Sequence, residues 1–215
     1  MITNKPFYLL RHGLSEANKA NITAGGMIDS PLTPEGELQA LEVAEILRIA
    51  QPNISRIFHS PMKRAHKTAM LANKYLNLEM ERIETLHEII LGDWEGEPWE
   101  KIEPFFDQRL APPNGENEEQ HVTRVRTTID SILAQDLNAP PLIVAHGGTF
   151  HGLGLTYGYA MQRINNCHLH LFEPWPENEN MPWKLTTFDL EDGEVIQSPA
   201  PSCPTNRDIQ ENLIA

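Results

Sequence analysis

Twice in this chain an apolar run passes straight into histidine and glycine. Phe7-Tyr8-Leu9-Leu10 leads into Arg11-His12-Gly13, and Leu142-Ile143-Val144-Ala145 into His146-Gly147-Gly148. A short apolar run closed by glycine fits a buried strand ending at a tight turn. In open α/β sheets, ligands sit outside the carboxyl ends of such strands. Arg11, His12 and His146 are therefore expected at the rim of a cleft, with Gly13 letting the backbone approach a ligand closely.

The rest of the chain alternates in a way that suits such a sheet. Thr33-Pro34-Glu35 is a helix start, with Thr33 as N-cap and proline at the first helical position. Leu38, Leu41, Ala44 and Leu47 fall on one face of that helix, which stops near Gln51-Pro52. Ile54 to His59 reads as a second strand. Ser60-Pro61 repeats the cap-plus-proline signature and predicts a helix from Met62 to Leu76. A third strand is expected at Ile83 to Leu86, leading into His87-Glu88. Residues 91–113 are irregular and aromatic, as an insertion covering a site would be. Asn114 reads as the cap of a helix over 115–135. Later strands are expected at His168 to Phe172 and Lys184 to Leu190, with a turn at Asp192-Gly193. No linker or repeat interrupts the pattern, so one α/β domain is expected over residues 1–197. The Pro-rich segment 198–215 reads as a loosely held tail.

Charge narrows the function classes. The chain has 215 residues, enough for one sizeable core, and a formal net charge of −13. That charge argues against nucleic acid or an anionic membrane as partner, and it means an anion site must be built from a few concentrated cations. Cys167 and Cys203 show no metal-type spacing and suit a reducing compartment. No apolar leader or long apolar span occurs in the sequence, so a cytoplasmic protein is expected.

Taken together, several short motifs resemble those of the histidine phosphatase superfamily, the phosphoglycerate-mutase-like group. They are Arg11-His12-Gly13 with Asn18; Asp29-Ser30-Pro31-Leu32-Thr33; Ser60-Pro61-Met62-Lys63-Arg64-Ala65 with Thr68-Ala69; Glu88 with Gly92-Asp93-Trp94-Glu95-Gly96; Asn114-Gly115-Glu116; and Val144-Ala145-His146-Gly147-Gly148. They follow the family's order from the start to about residue 150. Leu14 departs from the pattern, since many members carry an acid there, and Asn114-Gly115-Glu116-Asn117 varies the usual Gly-Gly-Glu-Ser. The resemblance implies a three-layer α/β/α sandwich with a mostly parallel central sheet.

It also implies a chemistry. His12 would attack phosphorus and become a phosphohistidine, which water then hydrolyses; a neutral imidazole is competent for this near pH 7. Arg11 and Arg64 would grip the phosphoryl oxygens with planar forks, and His146 would donate to a non-bridging oxygen. Asn18, Gly26 and the Gly147 N–H are further expected contacts to phosphate or substrate. Glu88 would protonate the leaving alkoxide, which requires a raised pKa, and Asp93 and Glu95 are rival acids. No metal or cofactor is implied, and the partner is a small phosphomonoester. The sequence leaves the oligomeric state open.

Other readings compete. Arg64 also reads as one solvated helix cation among several, Glu88 as a surface acid, and His146 as a satisfied core histidine. His168 and His170 share one face of a strand and suggest a metal pair, though no accompanying ligand signature supports it. A mutase would need a basic clamp after the acid. Residues 97–113 instead carry Lys101 and Arg109 against Glu97, Glu100, Glu103 and Asp107. Trp99, Phe105 and Phe106 suit either an apolar substrate body or packing within that segment. A non-catalytic anion-binding module is the third possibility.

Overall fold

A computed structural model of the chain describes residues 1–158, 161, 164–178 and 181–200. Its centre is a seven-stranded sheet in the order β3-β2-β4-β1-β5-β6-β7. The strands are β1 (Phe7–Arg11), β2 (Ile57–His59), β3 (Met80–Arg82), β4 (Leu142–Ala145), β5 (Leu169–Pro174), β6 (Trp183–Glu191) and β7 (Glu194–Pro199). The first four run parallel to one another. The last three continue the sheet as antiparallel neighbours. The expected α/β/α sandwich is therefore present, with a parallel core and an antiparallel flank.

Strand β1 explains the layering. Phe7 and Leu9 point into one apolar cluster, with Phe58, Ile143, Val125, Ile129 and Leu153. Tyr8 and Leu10 point into the other, with Ile57, Val144, Val43 and Leu47. Successive strand side chains alternate faces, so a run apolar at every position is what a doubly covered strand needs. Helices α2 (Pro34–Ala50) and α3 (Lys63–Ala72) cover one face; α5 (Glu118–Leu133) and α6 (Gly147–Thr156) cover the other.

Thr33 caps α2 as expected, its Oγ1 accepting from the Gly36 N–H at 2.9 Å. The buried stripe is Ala40, Val43, Ala44 and Leu47, and Leu38 is 66% exposed. Steps of three alone drift around a 3.6-residue helix, which is why Leu38 falls off the stripe. Helix α3 ends at Ala72 and a 3-10 turn continues to Tyr75, short of the expected Leu76. The third strand is Met80–Arg82, and Glu84–Leu86 forms a 3-10 turn instead. As the sheet's edge, β3 carries Glu81 and Arg82 and lacks the apolar run that marks a central strand. Helix α5 starts one turn later than expected. Asn117, not Asn114, is its cap, in a reciprocal pair with Gln120.

Residues 91–113 are not wholly irregular: they hold a 3-10 turn at Gly92–Trp94 and helix α4 (Trp99–Asp107). Trp94 stacks on Phe105 at 5.2 Å and meets Phe106 at 5.8 Å, while Trp99 meets Phe106 at 5.5 Å. These aromatics pack against one another. Asp192 and Gly193 form the expected turn, both at positive φ, and lead into β7. That strand runs through Pro199 and pairs Ser198 with Thr187, so sheet structure passes beyond the expected boundary at 197. Residues 201–215, including Cys203, lie outside the described residues.

Candidate active site

Register brings the two histidines together. Arg11 lies beside Ala145 where β1 and β4 pair in parallel. The next residue of each strand is therefore His12 and His146, and their ring centroids are 5.2 Å apart. Strand β2 ends on the other side of β4, with His59 beside Val144, which delivers Ser60 to the same rim. The Ser60 hydroxyl meets His146 Nε2 at 2.6 Å.

The His12 ring is held in one protonation pattern. Its Nδ1 lies 2.7 Å from the Gly13 carbonyl, which only accepts, so Nδ1 carries the proton and Nε2 keeps a free lone pair. Burial lowers the His12 pKa well below the usual histidine range, and the charges of Arg64 and Arg11 lower it further. His146 is lowered well below that range too, first by burial and then by Arg64, His12 and Arg11. Both rings are neutral near pH 7. The mutual influence of these four groups shows that chain positions 11, 12, 64 and 146 share one neighbourhood. His146 Nδ1 is buried with no hydrogen-bond partner among the described residues, so one ring atom remains for an incoming oxygen.

Arg64, in the first turn of α3, is only 1% exposed. Its Nη1 donates to Ile28 O and its Nη2 to Ala24 O and Gly25 O, each at 3.2 Å. It is thus no solvated helix cation. It rivets the 24–28 loop through three main-chain carbonyls. Burial lowers its pKa, opposed by Glu88, Asp29 and Glu95. Arg11 donates from Nη1 to the Ile164 carbonyl. Gly147 packs against the Arg11 guanidinium, since a Cβ there would lie 3.6 Å from Arg11 Nε.

Glu88 lies in the non-repeating segment between the Glu84–Leu86 turn and Leu91. One carboxyl oxygen accepts from the Ile89 N–H at 2.8 Å and the other from the Gly148 N–H at 3.2 Å. It therefore faces the same α6 start that carries His146. The rival acids are engaged elsewhere. Asp93 accepts from the Asn114 side chain at 3.1 Å. Glu95 accepts from the N–H groups of Met27, Ile28 and Leu91. Gly26 lies against the Glu88 segment; its N–H donates to Ile89 O, and a Cβ would come within 2.8 Å of Glu88 O.

Asn18 sits in α1 (Glu16–Lys19), its Oδ1 accepting from Ser15 N–H and from Asn166 Nδ2. Asn166 also donates to the His12 carbonyl at 3.0 Å, a neighbour the sequence pattern did not single out. Ser60 was expected as a helix cap, but Met62 occupies that position without a side-chain bond. Gly13 has a packing reason of its own. A Cβ there would come within 2.4 Å of Gly36 O, so close approach to helix α2 already demands glycine at this position. His168 and His170 lie ring to ring at 4.7 Å, and His170 also packs edge-on against Phe150. Among the described residues no group of three or more His, Cys, Asp or Glu is arranged to hold a metal ion.

A parallel-cored sheet whose strand ends carry Arg11, His12 and His146, with the buried Arg64 of α3 beside them, defines an α/β enzyme class with a cationic, imidazole-lined site. The model of the histidine phosphatase superfamily (branch 1) matches residues 7–177, and the chain belongs to that family. It is 32% identical over 176 residues to a Hydrogenobacter thermophilus protein named "Putative phosphoserine phosphatase 2", covering 77% of this chain and 85% of that one. It is 31% identical over 191 residues to a Serratia proteamaculans protein named "Probable phosphoglycerate mutase GpmB", covering 78% and 86%. Among solved structures, a mycobacterial glucosyl-3-phosphoglycerate phosphatase in complex with VO3 superposes with a TM-score of 0.70 at 25% identity, covering 84% of this chain and 97% of that chain. The chain is accordingly an enzyme of the histidine phosphatase type.

Proposed function

We propose that this enzyme is a metal-independent phosphomonoesterase that works through a phosphohistidine on His12. The observation that carries the reading is the fixed tautomer of a neutral, buried His12, with Nε2 left as a nucleophile beside His146 and the two arginines. Nε2 attacks phosphorus as the bond to the leaving oxygen breaks. Arg11, Arg64 and His146 balance charge on the equatorial oxygens, where a loose phosphoryl transition state carries it. Asn18 and the Gly147 N–H supply neutral donors, and Gly26 lines the approach. Glu88 protonates the departing alkoxide, then takes a proton from the water that releases phosphate from His12.

The substrate class is a small phosphorylated metabolite of cytoplasmic origin, in keeping with the relatives named for phosphoserine and glucosyl-3-phosphoglycerate. Hydrolysis is favoured over mutase chemistry because both cations of residues 97–113 have acidic partners, Lys101 with Glu97 at 2.8 Å and Arg109 with Glu118 at 3.8 Å. A second anionic group would have to compete with them. The mutase reading is favoured by the relative bearing that name. Release of phosphate from an aryl phosphate in EDTA, abolished by His12→Ala, supports the hydrolase. Interconversion of phosphoglycerates after priming by a bisphosphate, without net phosphate release, would replace it with the mutase. The absence of turnover on any phosphomonoester would leave only an anion-binding role.

A further inference from the structure

Glu88 depends on neighbours that motif reading passes over. Its segment has no regular secondary structure, yet a proton donor must sit within hydrogen-bond reach of the leaving oxygen. Arg124, on α5, supplies what the backbone lacks. Its Nη1 donates to Thr85 O at 2.9 Å and His87 O at 2.8 Å, and its Nη2 reaches Glu88 O at 3.5 Å. Nε and Nη2 also form a bidentate pair with Glu116, at 2.7 and 2.6 Å. Glu116 in turn accepts from the Ile90 N–H at 2.9 Å, and its own N–H donates to Ile90 O at 2.8 Å. The main chain is thus held at residues 85, 87, 88 and 90, on both sides of the carboxyl-bearing residue.

The opposite wall of the Glu88 carboxyl is tied to the same arginine. Nη2 of Arg124 lies 3.2 Å from His121 Nδ1, which as an acceptor leaves the His121 proton on Nε2. That N–H donates to Gly148 O at 2.8 Å, and the Gly148 N–H donates to Glu88 at 3.2 Å. Burial raises the Glu116 carboxyl, but its hydrogen bonds from Arg124 and from the Ile90 N–H hold it well below its ordinary pKa. Arg124 and Glu116 therefore form an internally neutral unit that braces the segment without adding net charge beside the donor.

We infer that Arg124, acting through Glu116 and His121, is a positioning residue that fixes the Glu88 carboxyl for proton transfer to the leaving group. This rests on the reading of Glu88 as the proton donor. Aryl phosphates leave with little need of a proton and alkyl phosphates need one, so the ratio of the two kcat/KM values, which read phosphoryl transfer to His12 and not the hydrolysis both substrates share, reports donor placement. The aryl kcat/KM of the same preparation also reports how much of it is folded. For Arg124→Gln, alkyl-phosphate kcat/KM is expected to fall about 10–100-fold with aryl kcat/KM within about threefold, since small misplacements cost that much. Glu116→Gln should shift the ratio in the same direction, and Arg124→Lys less than Arg124→Gln. If Arg124→Gln does not fold, Arg124→Lys and Glu116→Gln are read by the same ratio. With Glu88→Gln already present, adding the Arg124 change should lower the alkyl rate no further. Equal losses on both substrates, or an additive loss in the double variant, would overturn the assignment of Arg124 while leaving Glu88 in place. A Glu88→Gln enzyme that treats both substrates alike would overturn the donor reading itself, and this inference with it.

Discussion

Ser60 and His146, which close neighbouring strands β2 and β4, share a 2.6 Å contact through a hydroxyl and a ring nitrogen. That contact fixes the ring whose other nitrogen is buried with no hydrogen-bond partner among the described residues. Ser60→Ala leaves His146 Nε2 buried without its partner, an omission of about 1–3 kcal/mol. The variant is expected to unfold at lower urea and to lose about tenfold or more in kcat, as when a donor to the transition state loses its aim. Steady-state kinetics beside urea melts check both. Unchanged kcat in a destabilised protein would limit Ser60 to a packing role.

Gly148 has no room for a methyl group: a Cβ would lie 2.0 Å from Glu88 Oε1. Gly148→Ala is expected to push the carboxyl aside and reduce turnover of alkyl phosphates by about 10²-fold. Aryl phosphates should suffer less. A variant with full alkyl-phosphate activity would mean that Glu88 acts from a different position.

Acid should weaken the fold before its carboxylates titrate. His12 and His146 sit well below their unfolded value of 6.5 in the native state. Between those values the unfolded chain binds more protons than the native one. Stability therefore rises with pH up to about 6.5 and is lost as pH falls below it, by roughly 1.4 kcal/mol per pH unit for each imidazole. Urea unfolding at pH 7 and pH 5 measures the difference, and His146→Gln should flatten the dependence. Equal stability at both pH values would show that these rings are not buried neutral.

Much of the site was legible because its residues stand where strands stop. An apolar run announces a buried strand, so the side chains after it can be placed without coordinates, and Arg11, His12 and His146 follow. Arg64 was legible only through its motif, because a helix cation gives no sign in sequence that it will be buried against three carbonyls. Ser60 carried the signal of a helix cap, and the same hydroxyl serves His146. Arg124, Glu116 and His121 are invisible to local pattern. Their partners are main-chain atoms 26 to 39 residues away, in the Glu88 segment and at Gly148, and spacing along α5 says nothing of that. Strand β3 was misplaced for an equally physical reason: an edge strand tolerates charge and need not be apolar.

Strand β1 sends alternate side chains into two separate apolar clusters, one on each face of the sheet. Breaking it exposes both at once, so the amides of residues 8–12 have no local route to solvent and should exchange hydrogen only when the whole molecule opens. The 91–113 segment is tied to the rest of the chain chiefly through residues 21–23, so its amides should exchange sooner than those of β1. His12 is thereby anchored to the strand whose opening costs the molecule both of its apolar clusters.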